Sequence, residues 1–237
     1  MRIAILMANT DESSFADQHP KDGEKWTALL AHQRPDWDYV TFSVKDGDFP
    51  QDLESFDGFV ITGSPASVHD TAAWVGQLSE LIRALHAQQR PLFGACFGHQ
   101  AIAKALGGKV ETNPGGWVFG STEMEISTPA PWVDAQQFRL YGAHIEQVTQ
   151  MPEGATNIMT SEGCPIGGFR MEDHVFTTQN HPEMTPDFIA ALIDELEEEK
   201  PAEVIASARD TLSNPANGPQ FADWIVRFFE HAARAKS

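Results

Sequence analysis

The chain has 237 residues, and 16 Lys+Arg against 34 Asp+Glu leave a formal charge of −18 at pH 7. A polyanion is repelled by phosphate backbones and by anionic lipid surfaces, so nucleic acid and membranes are excluded as partners. With 41% hydrophobic residues, including 15 Phe and 6 Trp, the chain can bury a large core and is not a disordered segment.

Short apolar runs alternate with amphipathic stretches, which predicts an α/β fold. Arg2 to Ala8 reads as a buried first strand, too short for a signal-peptide core or a membrane span. A helix is expected from about Gly23 to Gln33, then strands at Tyr39–Val44 and Gly58–Thr62, the second stopping at Gly63-Ser64-Pro65. Trp74, Leu78, Leu81, Ile82 and Leu85 recur at helical spacing and predict a helix over Trp74–His86. Pro91–Ala95 is another short strand, and Gln100–Leu106 a helix closed by Gly107-Gly108.

From Lys109 to Phe176 the pattern turns β-rich, with strands expected at Thr122–Ile126, Thr156–Met159, Ile166–Arg170 and His174–Thr178. No Gly/Ser/Pro linker precedes this half, so it extends the same sheet. Pro186–Glu199 predicts a helix with a solvated acidic end, followed by helices at Ala202–Leu212 and Phe221–Ala233. Neither Cys96 nor Cys164 sits in a CxxC or CxxH pair, so free thiols in a reducing, cytoplasmic setting are expected.

The strongest local signal is Gly94-Ala95-Cys96-Phe97-Gly98-His99-Gln100, placed between a strand and a helix. A nucleophile on such a strand-to-helix elbow needs glycines at i−2 and i+2, where the backbone turns tightly. The helix N-terminus favours a thiolate at Cys96, and the Phe97 N–H is in place for an oxyanion. An ordinary buried thiol is the bland alternative. A thiolate nucleophile needs an oriented base. Among nine histidines, His19, His32, His86 and His231 read as surface residues, and His69 and His174 as loop residues. His181 stands apart: Pro182 forces it into an extended conformation, so Glu183 at i+2 faces the same way. A turn histidine with a helix-capping Glu is the alternative reading.

The pairing of Gly-Ala-Cys-Phe-Gly-His-Gln with Gln-Asn-His-Pro-Glu further along resembles the class I (triad) glutamine amidotransferase family, over roughly residues 1 to 195. Thr62-Gly63-Ser64-Pro65 stands where the family usually has Ser-Gly-Gly-Pro, and Gly163-Cys164-Pro165-Ile166 resembles its late strand. Ala143-His144-Ile145-Glu146 stands where it has a Ser/Asn-His-Gly-Asp-like element. Ser64 and Ile145 thus each replace a glycine.

The resemblance implies a three-layer, flavodoxin-like open and mostly parallel twisted sheet with helices on both faces. Residues 1–198 would form the amidotransferase-like domain, and 199–237 a helical extension packed on it. It implies Cys96 as nucleophile, His181 as general base and acid, and Glu183 as its orienter. Backbone N–H groups of Phe97 and of Gly63 or Ser64 would form the oxyanion hole. Gln100 and the stretch Ala143, His144, Ile145 and Glu146 would hold the substrate. The chemistry would need no cofactor and no metal.

The segment holds no Gly-Lys-Ser/Thr phosphate loop and no Ser-Gly-Gly-x-Asp-Ser loop of a synthase. Its Asn214–Phe229 tail and its Gly115–Gly120 stretch resemble stand-alone members related to the GMP synthase glutaminase domain, some of them γ-glutamyl peptidases. The implied reaction is hydrolysis of a γ-glutamyl amide, in glutamine or a γ-glutamyl peptide, through a γ-glutamyl thioester. Alternatives are a glutaminase subunit feeding ammonia to a separate synthase, an inactive binding module, and a chaperone-deglycase-type elbow using His99. The walls of the specificity pocket are expected from Thr10–Asp22 and Thr112–Gly120.

Overall fold

Strand β1 (Arg2–Met7) alternates between two cores: Ile3 and Ile5 point into one, Ala4 and Leu6 into the other. That two-sided burial is the signature of a strand in a covered parallel sheet. Its neighbours are β2 (Asp38–Ser43) and β3 (Gly58–Ile61), and β4 (Leu92–Ala95) and β11 (Val175–Thr178) continue the sheet, all parallel. Helices α2 (Ala73–Ala87) and α3 (Phe97–Ala105) cover one face; α1 (Asp22–Gln33) and α6 (Gly218–Ala235) cover the other. The computed structural model describes residues 1–235.

The β-rich half joins this sheet, as its missing linker implied. Strands β10 (Cys164–Met171), β9 (Thr156–Ser161), β6 (Val118–Ile126) and β7 (Gln137–His144) extend it antiparallel, in the order β2-β1-β3-β4-β11-β10-β9-β6-β7. A two-stranded sheet pairs β5 (Lys109–Thr112) with β8 (Glu146–Gln150). Sequence patterning did not mark β5, β7 or β8, and it started β6 four residues late. Gly142 interrupts β7, and Gly120 holds φ at +95° inside β6, so neither run carries an uninterrupted alternation.

Several helix bounds also differ from expectation, among them the start of α6, at Gly218 and not Phe221. Helix α3 starts at Phe97, and α4 (Pro186–Glu195) ends four residues before Glu199. Three consecutive acids, Glu197 to Glu199, would face the negative end of the helix dipole, which opposes continuation. Residues 196–200 turn instead, and α5 (Ala202–Thr211) follows.

Helix α6 puts Phe221, Trp224, Phe228 and Phe229 into the core. Phe176 of β11 sits at the centre of that packing, with ring centroids 5.2 Å from Phe93, 5.6 Å from Phe221 and 5.6 Å from Trp132. Among the described residues no helix is long and apolar enough to cross a membrane.

Phe176→Ala would empty this cluster beneath the strand that leads to His181. A loss of about 3–5 kcal/mol in unfolding free energy is expected by chemical denaturation; a loss below about 1 kcal/mol would contradict the packing described.

Candidate active site

Cys96 links β4 to α3 with φ 49° and ψ −108°, one of three non-glycine residues at positive φ in the described chain. Such a conformation persists only where its surroundings enforce it. The parallel pairing of β4 with β11 supplies one anchor: the Cys96 N–H donates to the Thr178 carbonyl at 2.9 Å. The first turn of α3 supplies another, Gln100 N–H to Cys96 O at 3.0 Å. A Cβ on Gly94 would lie 2.7 Å from the Gly98 backbone, and one on Gly98 would collide with the Ile61 carbonyl. Both glycines are therefore steric requirements of the elbow.

His181 follows β11 and is pinned from across the sheet. Its N–H donates to the Tyr141 carbonyl of β7 at 2.8 Å, an isolated antiparallel bridge that ties the edge strand of the added half to the segment following β11. Its imidazole Nδ1–H donates to Glu183 Oε1 at 2.7 Å, and Cys96 and the ring both lie against Gly63. Glu183 is buried, and its Oε2 has no hydrogen-bond partner among the described residues. Gly63 closes on the other side of the ring, where an added Cβ would lie 2.7 Å from His181 Cε1. A side chain on Gly218, at the start of α6, would strike the Pro182 carbonyl, so the C-terminal helix packs directly behind the His-Pro-Glu segment.

Burial alone would push the His181 imidazolium down. The negative charges of Cys96 and Glu183, with the hydrogen bond to Glu183, outweigh it and hold the group well above the usual histidine value. The other histidines nearby behave oppositely. Burial lowers His99 to about 3 and His144 to about 4, so both are neutral rings at physiological pH. His99 is wholly buried, with Nδ1 against Thr177 Oγ1 at 2.8 Å, and does not line the cavity beside Cys96.

That cavity measures about 550 Å³. Of the residues singled out in the sequence, Cys96, His181, Gly63, Ser64, Gln100, Ala143, His144, Ile145 and Glu146 all line it. Glu183 lies behind His181, and the Phe97 side chain points into the core against Trp74 with its backbone opening α3, where first-turn amides have no intrahelical acceptor. Ser64, despite replacing a glycine, is not at positive φ. The Gln100 amide is committed to the corner between β7 and β8, donating to the Glu146 carbonyl at 2.8 Å, while the Glu146 carboxylate accepts from Ser67 Oγ at 2.9 Å. Asp11, Phe15 and Asp22 from the first expected wall and Thr112, Trp117 and Phe119 from the second complete much of the rim.

Several contributors carried no sequence signal. Tyr141 and Thr178 act through backbone carbonyls, which any residue type supplies. Leu196, Glu199 and Lys200 reach the cavity from the acidic turn after α4, a stretch expected only as a solvated helix end. Asp22 lines it as a buried carboxyl, raised by burial although Lys25 lies 3.1 Å away. His174, expected in a loop, does lie in a turn but is buried, with Nε2 at 2.9 Å from His86 Nδ1.

A cysteine held on a strained elbow beside a buried imidazole–carboxylate pair, at the end of a parallel α/β sheet, is the arrangement of a cysteine hydrolase. The chain belongs to the glutamine amidotransferase class-I family, whose model matches residues 31–190. It is 29% identical to gamma-glutamyl peptidase 3 of Arabidopsis thaliana, over 81% of each chain. It is 30% identical to a glutamine-hydrolyzing GMP synthase of Porphyromonas gingivalis, over 68% of this chain and 32% of that one. A solved glutamine amidotransferase of Thermotoga maritima shares the fold at TM-score 0.75 and 19% identity, covering 97% of this chain and 98% of its own.

Because Glu183 contributes to the raised His181 value, Glu183→Gln should move the imidazole titration downward. Side-chain nitrogen NMR across a pH series would register the shift; an unchanged midpoint would contradict the coupling.

Proposed function

We propose that the chain hydrolyses γ-glutamyl amide bonds with Cys96, His181 and Glu183 as its catalytic triad. The observation that carries this reading is the buried 2.7 Å bond from His181 Nδ1 to Glu183, with Cys96 beside the same ring and acting on its charge. Glu183 fixes the tautomer and orientation of the ring and stabilises its cation. The Cys96 thiolate attacks the γ-carbonyl carbon, forming the C–S bond and placing the electron pair on oxygen. Amides of Phe97 and of Gly63 or Ser64 donate to that oxyanion. The oxyanion collapses, the C–N bond breaks, and the His181 imidazolium gives its proton to the departing amine. Water then attacks the γ-glutamyl thioester, His181 accepts its proton, and Cys96 leaves as thiolate while free glutamate forms.

Gln100 supports the substrate side indirectly, by holding the β7–β8 corner from which Ala143, His144, Ile145 and Glu146 face the glutamyl group. The Nδ1–H of the neutral His144 donates to the Glu146 carbonyl at 3.1 Å, which leaves Nε2 as an acceptor without adding charge beside the α-amino and α-carboxyl groups. Two buried free thiols, Cys96 and Cys164, suit a reducing cytoplasm. Similarity to a gamma-glutamyl peptidase over four-fifths of both chains supports hydrolysis of γ-glutamyl peptides. Similarity to part of a GMP synthase supports a second reading, a glutaminase that works docked to a separate synthase.

Purified protein should release glutamate from glutamine or from a panel of γ-glutamyl peptides, with Cys96→Ser reduced at least about 1,000-fold. Equal rates for wild type and Cys96→Ser would exclude the triad. Turnover of glutamine that stays negligible until a partner co-purified from native lysate is added would favour the docked glutaminase.

A further inference from the structure

The cavity beside Cys96 is larger than a free amino acid needs. At about 550 Å³ it falls in the range that encloses drug-sized ligands, roughly 300–1,000 Å³. The γ-glutamyl group is accounted for by the wall of Gly63, Ser64 and the β7–β8 corner. What remains is bounded by a different set: Trp117 and Phe119 entering β6, Phe188 and Leu192 along α4, and Leu196 in the turn after it. Trp117, Phe119, Phe188, Leu192 and Leu196 are each half-buried and turn apolar surface toward the cavity.

The charged groups on the same rim are unequal. Lys25 lies over the Phe188 ring at 3.6 Å and is paired with Asp22 at 3.1 Å, so its charge is balanced within the protein. Glu146 is held by Ser67, and Asp22 also accepts from Asn9. Lys200 is different. Its ammonium sits over the Trp117 ring, 4.3 Å from the centroid, and its side chain is only 17% exposed. Its ion-pair partner is Glu199, at 3.8 Å and 67% exposed, a long contact with a solvated carboxylate. A lysine ammonium has three N–H donors, so one over an aromatic face has donors beyond those turned to the ring, and Lys200 lines the same apolar cavity.

We infer that the Trp117–Lys200 pair reads the leaving amine, and that the preferred substrates are γ-glutamyl dipeptides whose second residue is aromatic or bulky and apolar. The side chain of that residue fills the chamber between Trp117 and α4, and its α-carboxylate meets Lys200. The inference rests on the γ-glutamyl hydrolase reading above and adds to it the identity of the departing group. Free glutamine, whose leaving group is ammonia, uses none of this wall. Binding energy from such a remote contact accelerates the reaction only when it is realised as the reacting carbonyl is brought to Cys96.

The test compares γ-glutamyl-phenylalanine, γ-glutamyl-glycine and γ-glutamyl-phenethylamine, the last keeping the ring without the carboxylate, with glutamine as reference. For wild type, kcat/KM for γ-glutamyl-phenylalanine should exceed that for each of the other two γ-glutamyl compounds by about tenfold or more. Lys200→Met should erase the gap between the phenylalanine and phenethylamine compounds, and Lys200→Arg should restore most of it. Trp117→Ala should erase the gap between phenylalanine and glycine. Each effect is a ratio within one variant, so partial unfolding, which lowers all rates together, does not mimic it; thermal midpoints check folding independently. Equal wild-type rates for the phenylalanine and glycine compounds, or a carboxylate preference that survives Lys200→Met, would overturn the inference while leaving hydrolysis of glutamine intact. If no γ-glutamyl compound, glutamine included, is cleaved, the hydrolase reading fails and this one falls with it.

Discussion

Cys96 is held at φ 49°, ψ −108°, a conformation that costs on the order of 1–3 kcal/mol and that most surroundings would relax. Here the parallel strands β4 and β11 stop together, so that Thr178 accepts the Cys96 N–H, while Gly94 and Gly98 let the start of α3 settle against the Ile61 carbonyl. A domain is stable by only about 5–15 kcal/mol in total. The elbow therefore depends on the packing on both faces of the sheet, including the aromatic cluster that α6 builds beneath β11. The site residue and the C-terminal helix are parts of one mechanical arrangement.

The second constraint comes from the antiparallel half. Strand β7, at the end of the sheet, returns to His181 through a single backbone bond from His181 N–H to Tyr141, and the chain then turns through Pro182 against the first residue of α6. Imidazole, carboxylate and thiol meet because three separate parts of the chain close around them. The net charge of −18 plays no direct part in this. The acids that matter at the site are buried or paired: Glu183 with His181, Asp22 with Lys25, and Glu146 with Ser67.

Much of this was legible in the sequence, and for physical reasons. Buried parallel strands such as Gly58–Ile61 read as continuous apolar runs, and the Gly-x-Cys-x-Gly spacing states a steric requirement that few other structures share. His181 was separable from eight other histidines because Pro182 and Glu183 constrain its geometry locally. The antiparallel half was less legible: β7 pairs with β6 but bridges to His181 some 40 residues on, and such non-local register leaves no periodic trace. The cavity wall was legible only in part. Trp117 fell within an expected segment, but Lys200 lay in an acidic run whose composition indicates solvent, and only the early end of α4 turns it back toward the site.

The most direct measurement is covalent labelling by a diazo-ketone analogue of glutamine, followed by intact mass and peptide mapping. The triad predicts one label per chain, located on Cys96, suppressed by excess substrate and formed at least about 100-fold more slowly in His181→Ala. A label on Cys164, no label at all, or an undiminished rate in His181→Ala would contradict it.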